Sequence, residues 1–159
     1  MRFNFLLLLL TTLIAVALSH KSQKWKPCQV NIKLKGTNFF WTLNKNNVVL
    51  ETKSSKSLKL TTVPFCPTRG FVKGSSINRF NGESIQSNGH NKGITLSNTI
   101  RNNPNQCWHF RPEGYIHPCN DLHWAWALTA EFGPNFKYIV TLKRTGSSTR
   151  QKWVFSKVK

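Results

Sequence analysis

Acidic residues are nearly absent: Glu51, Glu83, Glu113, Asp121 and Glu131 are the five in 159 residues. No two of them stand at a motif spacing, so general acid–base catalysis by a carboxylate pair has no candidate. Also missing are a Gly-x-Ser-x-Gly element, a His-Glu-x-x-His helix and a phosphate-cradling glycine loop. The chain therefore reads as a non-enzyme that needs no cofactor. It has no Asn-x-Ser/Thr sequon, so N-glycosylation is not expected. After the first segment there is no helical periodicity, and no linker or low-complexity stretch divides the chain. Its one long apolar run, residues 5–18, falls short of the roughly 20 residues a membrane span needs. With Arg2 before it and Ala17-Leu18-Ser19 after it, that run reads as a cleaved secretory signal over residues 1–19. Residues 20–159 then form one domain, and the protein is expected outside the cell with no transmembrane segment.

Charge of the other sign is abundant, with 23 Lys and Arg and a formal net charge of +18. Residues 20–62 carry nine lysines against one acid, and residues 137–159 carry seven basic groups and no acid. The intervening stretch holds six basic and four acidic groups. If the first and last strands are neighbours, these flanks merge into a pole that attracts polyanions. Lys33, Lys35, Lys143, Arg144, Arg150, Lys152 and Lys157 are the candidates for it. Lys33 and Lys35 should share an outward strand face, and Lys152 should point to solvent.

Four cysteines (Cys28, Cys66, Cys107 and Cys119) in an oxidising compartment imply two disulfides. Three connectivities are open, and the sequential pairs Cys28–Cys66 and Cys107–Cys119 are preferred only for being sequential. The run His117-Pro118-Cys119-Asn120-Asp121-Leu122-His123 puts possible metal ligands at alternate positions. Pro118 should break strand pairing there, so a surface loop without metal is expected. A basic nuclease using His109, His117 or His123 would need a convergence that spacing does not show.

A fixed step organises the rest. Val48-Val49-Leu50, Ile94-Thr95-Leu96 and Val140-Thr141-Leu142 recur every 46 residues. Thr61-Thr62-Val63, Gln106-Cys107-Trp108 and Gln151-Lys152-Trp153 follow them at steps of 45. Short apolar elements precede each: Phe40-Trp41-Thr42-Leu43, Glu83-Ser84-Ile85 and Trp124-Ala125-Trp126-Ala127-Leu128. Openings at Val30/Ile32, Phe71/Val72 and Tyr115/Ile116 complete about four strands per repeat and twelve in all. Turn clusters at 44–47, 87–93 and 145–148 supply Gly and Asn for positive φ. The expectation is an all-β domain of three pseudo-repeats, roughly residues 27–66, 67–112 and 113–159.

Three four-strand repeats closing in Gln-x-Trp resemble the ricin-type β-trefoil lectin family over essentially the whole mature chain. The resemblance implies that Trp108 and Trp153 fill a barrel core while Gln106 and Gln151 hold neighbouring loops. It further implies up to three shallow sugar pockets, each with an Asp, an aromatic platform and an Asn before the Gln. Here the Asp position reads Asn44, Gln86 and Thr129, and the aromatic position reads Glu51, Ser97 and Lys143. Only Asn105 before Gln106 keeps the third element. The second repeat is the best remaining pocket, with Gln86, Asn105 and Gln106 as polar contacts and His90 on a loop. Trp124 and Trp126 should alternate across one strand, so one of them, taken as Trp124, offers a stacking ring. The expected function is non-catalytic recognition of cell-surface or anionic, perhaps sulfated, glycans, including those on glycoproteins; nucleic acid is not an expected partner. The second reading is a cationic adhesion or coat protein that binds polyanions or a protein without sugar specificity. A protease inhibitor of the same fold would need a protruding loop that the sequence does not offer.

Overall fold

The computed structural model of the chain describes residues 28–52, 57–63, 72–79, 81–133 and 137–158. The expected signal segment, Cys66 and the Phe71 opening lie outside the described residues. Twelve strands and two short 3₁₀ turns are found among them, in an all-β arrangement. The strands are β1 (Cys28–Leu34), β2 (Phe40–Asn44), β3 (Asn47–Glu51), β4 (Leu60–Val63), β5 (Val72–Arg79) and β6 (Glu83–Gln86). They continue as β7 (Thr95–Asn98), β8 (Trp108–Phe110), β9 (Ile116–Pro118), β10 (Trp126–Phe132), β11 (Tyr138–Arg144) and β12 (Trp153–Lys157).

Alternation dictates the first of these: Val30, Ile32 and Leu34 turn inward while Gln29, Asn31 and Lys33 are less buried. Pairing runs β3-β2-β1-β4-β5-β6-β7 and returns to β3, closing a seven-strand barrel to which the other strands attach. Closure removes the unpaired edges that an open sheet of this length would expose. β1 also takes β12 along its whole outer side, from Val30↔Lys157 to Leu34↔Trp153, so the chain's first and last described strands are neighbours.

The 46-residue step becomes a geometric relation at the centre. The Val48 amide donates to the Ile94 carbonyl (3.1 Å), and the Ile94 amide donates to the Val140 carbonyl (2.9 Å). All three side chains lie in the core, and Leu50, Leu96 and Leu142 join them there. The three hairpins β2–β3, β6–β7 and β10–β11 are thus stitched together at their equivalent residues. Trp41, Trp108 and Trp153 are the largest fully or almost fully buried side chains, and Trp41 meets Trp153 edge-on at 5.4 Å. At 150–250 Å² of surface and about 25 cal/mol per Å², each contributes roughly 4–6 kcal/mol of burial.

Some expectations change. The turn at 44–47 takes its positive φ at Lys45 (55°) rather than at an Asn, because Asn44 and Asn47 are used as a cross-strand pair. Trp124 and Trp126 do not alternate across one strand: Trp124 has φ 55°, which breaks the extended run, and β10 starts only at Trp126. Pro118 does not end pairing early; it sits opposite Trp108 as the last residue of β9. His117 is consequently buried in a strand and not on a surface loop, although Asn120, Leu122 and His123 beyond it are exposed.

Candidate functional site

Gln106 and Gln151 occupy matching places, each in a 3₁₀ turn (Pro104–Gln106 and Thr149–Gln151) just before a core tryptophan. The Gln106 carbonyl oxygen accepts from the Ile100 amide (2.8 Å), and its Nε2 donates to the Asn98 carbonyl (2.8 Å) and to Gln86 Oε1 (3.1 Å). Gln151 repeats the pattern, accepting from the Gly146 amide (2.8 Å) and donating to the Arg144 carbonyl (2.7 Å) and Thr129 Oγ1 (2.9 Å). Directly beneath, the Trp108 and Trp153 indoles donate to the Ile85 and Leu128 carbonyls at 3.0 and 2.9 Å. Both glutamines are 3% exposed, so their amides are spent inside the protein.

The residues named from the sequence for the second-repeat pocket therefore separate. Gln86 and Gln106 bond to one another, Asn105 is exposed on the 3₁₀ turn, and Asn44 ends β2 on the far hairpin. His90 leaves the group entirely: its ring stacks on Trp126 of the third hairpin, with centroids 3.6 Å apart and planes within 3°. Trp124 is half-buried, held edge-on by His109 (4.8 Å) and His117 (5.2 Å) with the Arg111 guanidinium over its ring at 5.0 Å. Burial holds the His117 imidazole below its ordinary pKa, against the opposing pull of the Trp126 carbonyl and the Asp121 charge. Among the described residues no group of three or more His, Cys, Asp or Glu could hold a metal ion.

The cationic candidates fall into two sets. Lys33 and Lys157 lie on the paired strands β1 and β12, flanked by Lys35 and Lys152. Lys152 is not directed away into solvent; its ammonium sits 3.4 Å from the centroid of the Tyr115 ring, a cation–π contact. Lys33 is half-buried above the Phe40 ring at 5.9 Å, whereas Lys35 is exposed in the following turn. Lys143, Arg144 and Arg150 instead line an open cleft of about 570 Å³ on the third hairpin, together with Trp126, Thr129 and Glu131. Register makes this cleft: Trp126 lies opposite Arg144 and Ala127 opposite Lys143 across β10 and β11.

Glu131 is the cleft's one carboxylate. It pairs with Lys143 at 3.1 Å and accepts a hydrogen bond from Thr141 at 3.0 Å. The Arg144 and Arg150 side chains are left exposed beside the His90–Trp126 stack. Sequence reasoning had the three cations but missed Trp126, Glu131 and the rings' partnership, because these depend on strand register and on a loop from another repeat. The Cys107–Cys119 disulfide is present, and Cys28 is also disulfide-bonded; its expected partner, Cys66, is outside the described residues.

Comparison with known proteins gives similarity at the level of fold. No family model matches the chain, and no curated protein matches it significantly. Among solved structures, it is similar to the C-half of an earthworm R-type lectin in complex with GalNAc, at TM-score 0.58 and 13% identity. That match covers 83% of this chain and 100% of the lectin domain. The earthworm lectin C-terminal domain mutant in complex with 6'-sialyllactose matches at TM-score 0.59 with the same identity and coverage. A mosquitocidal holotoxin matches at TM-score 0.61 and 17% identity over 82% of this chain, which spans only 16% of that toxin. The chain shares its fold with ricin B-like lectin domains.

Proposed function

We propose that this chain is a secreted, non-catalytic carbohydrate-binding protein built on a β-trefoil of the ricin-type lectin kind. The relay of hydrogen bonds through Val48, Ile94 and Val140 and the paired Gln-to-Trp locks support the three-repeat reading. Its preferred ligands are acidic glycans on cell surfaces or glycoproteins. The observation that carries this reading is the third-hairpin cleft, where a stacked His90–Trp126 pair borders Arg144 and Arg150 with one carboxylate already committed to Lys143. A ring stack suits the apolar face of a sugar, and two guanidiniums suit a carboxylate or sulfate ester. The solved lectin relatives were crystallised with GalNAc and 6'-sialyllactose, the second of which is itself acidic.

The test is a glycan array spanning neutral, sialylated and sulfated sugars, read at low and high salt. Binding to acidic members that weakens about tenfold or more in Trp126→Ala and in Arg150→Ala supports the reading. Binding unaffected by Trp126→Ala and abolished by salt favours the second reading, a cationic adhesion protein. The Lys33, Lys35, Lys152 and Lys157 stripe along β1 and β12 is the observation that would then matter.

A further inference from the structure

A second cleft, of about 510 Å³, lies between β5, the start of β6 and the loop from Thr99 to Cys107, closed on one side by the Cys107–Cys119 bridge and Asn120. It shares no lining residue with the third-hairpin cleft. A β-bulge builds it: the β5–β8 register shifts between Val72 and Ser75, and Gly74 takes φ 70° there. That kink presents Gly74, Ser75 and Ser76 to the cleft, as bulges beside binding sites commonly do.

Most polar groups lining it are already paired. Ser84 Oγ bonds Asn78 and Thr99 at 2.6 Å each, and Gln106 makes its three bonds. Ser75 differs: it is 0% exposed, and its hydroxyl has no hydrogen-bond partner in the protein. An unpaired buried hydroxyl is costly, and its position on the cleft wall gives it one direction in which a partner can come. At the rim the lining carries Arg101, which is exposed, and no acidic residue at all. Asn102, Asn103 and Asn120 surround it with amides, and no aromatic ring is present.

We infer that this cleft is a binding site for a small polyhydroxylated acid, of the class of a hexuronic acid unit, with its anion on Arg101 and a hydroxyl at Ser75. A bare inorganic anion would satisfy Arg101 but leave the depth of the cleft and the Ser75 hydroxyl unused. A neutral sugar would use the amides and leave the guanidinium unpaired. An apolar ligand would bury the amides without partners. The inference rests on the glycan reading only for its choice of probe.

The experiment is amide NMR of the full mature chain titrated separately with D-glucuronate, D-glucose and sulfate. Saturable glucuronate shifts at Ser75, Arg101 and Asn102, with glucose at least tenfold weaker and sulfate confined to Arg101, are expected. Arg101→Ala should weaken glucuronate at least tenfold and Ser75→Ala severalfold, whereas Trp126→Ala should leave it within twofold. Because Ser75 has no protein partner, Ser75→Ala should fold with unchanged stability; a large loss of stability would mean the hydroxyl is structural and overturn its role. Equal effects of sulfate and glucuronate, or no saturable shift, would also overturn the inference. So would shifts lost in Trp126→Ala, since they would report the other cleft. Array binding that is lost in Trp126→Ala while glucuronate leaves Ser75 and Arg101 unmoved would sink this site alone.

Discussion

Replacing Gln151 with alanine removes three hydrogen bonds in one step, to the Gly146 amide, the Arg144 carbonyl and Thr129 Oγ1. A typical internal hydrogen bond contributes about 1 kcal/mol net, and a buried group left without a partner costs about 1–3 kcal/mol. Gln151 is 3% exposed, and the Thr129 hydroxyl also bonds the Ala127 carbonyl, so the worst orphans are the Arg144 carbonyl and the Gly146 amide. Water reaching the exposed Arg144–Gly146 turn offsets part of the loss. The balance is a destabilisation of about 3 kcal/mol, or roughly 10 °C in Tm for a domain of this size. Gln106→Ala should cost the same within about 1 kcal/mol, because its three partners are of the same kinds. Urea unfolding and calorimetry on both variants check this. Losses below about 0.5 kcal/mol at both positions, accompanied by lost glycan binding, would refute the locking role and make these amides ligand contacts.

Other outcomes follow from the same geometry. Reducing Cys107–Cys119, a separation of 12 residues, should lower stability by about 3 kcal/mol by freeing a short loop in the unfolded chain, measured with the Cys107→Ser/Cys119→Ser double variant. Because burial lowers the folded-state pKa of His117, neither state holds its proton above about pH 6.5, and stability there is independent of this group. Below that pH the unfolded chain takes up the proton first, so stability falls until the folded pKa is reached, by about 1.4 kcal/mol per unit of lowering. His117→Gln should flatten this part of the pH–stability profile; an unchanged slope would remove His117 as its source. Gly114→Ala should destabilise by more than 1 kcal/mol in thermal melts, since φ is 97° and a new Cβ would stand 2.9 Å from the Trp153 carbonyl oxygen.

The local rules and the periodicity were legible in the chain. The 46-residue step of Val48, Ile94 and Val140 and the Gln-x-Trp echoes fix which residues are equivalent, and equivalence fixes the core and an all-β class of about twelve strands. Alternation could not see where a strand stops when a non-glycine residue takes a left-handed φ, as Trp124 does, so the two tryptophans were assigned to one strand. The candidate site shows the limit more plainly. Lys143, Arg144 and Arg150 were visible as cations, but charge alone does not say that Glu131 answers one of them and leaves the others exposed. His90 stands 36 residues before Trp126 in the chain, and only the packing of one hairpin's loop against the next sets their rings 3.6 Å apart. The unpartnered Ser75 hydroxyl is likewise a product of the β5 bulge, which no pattern of polar and apolar residues encodes. The sequence by itself determined the repeat, the buried residues and the sign of the charge, because these depend on spacing and composition. Tertiary structure alone decided which charges stay unpaired and which rings meet, because those are distances between residues far apart in the chain.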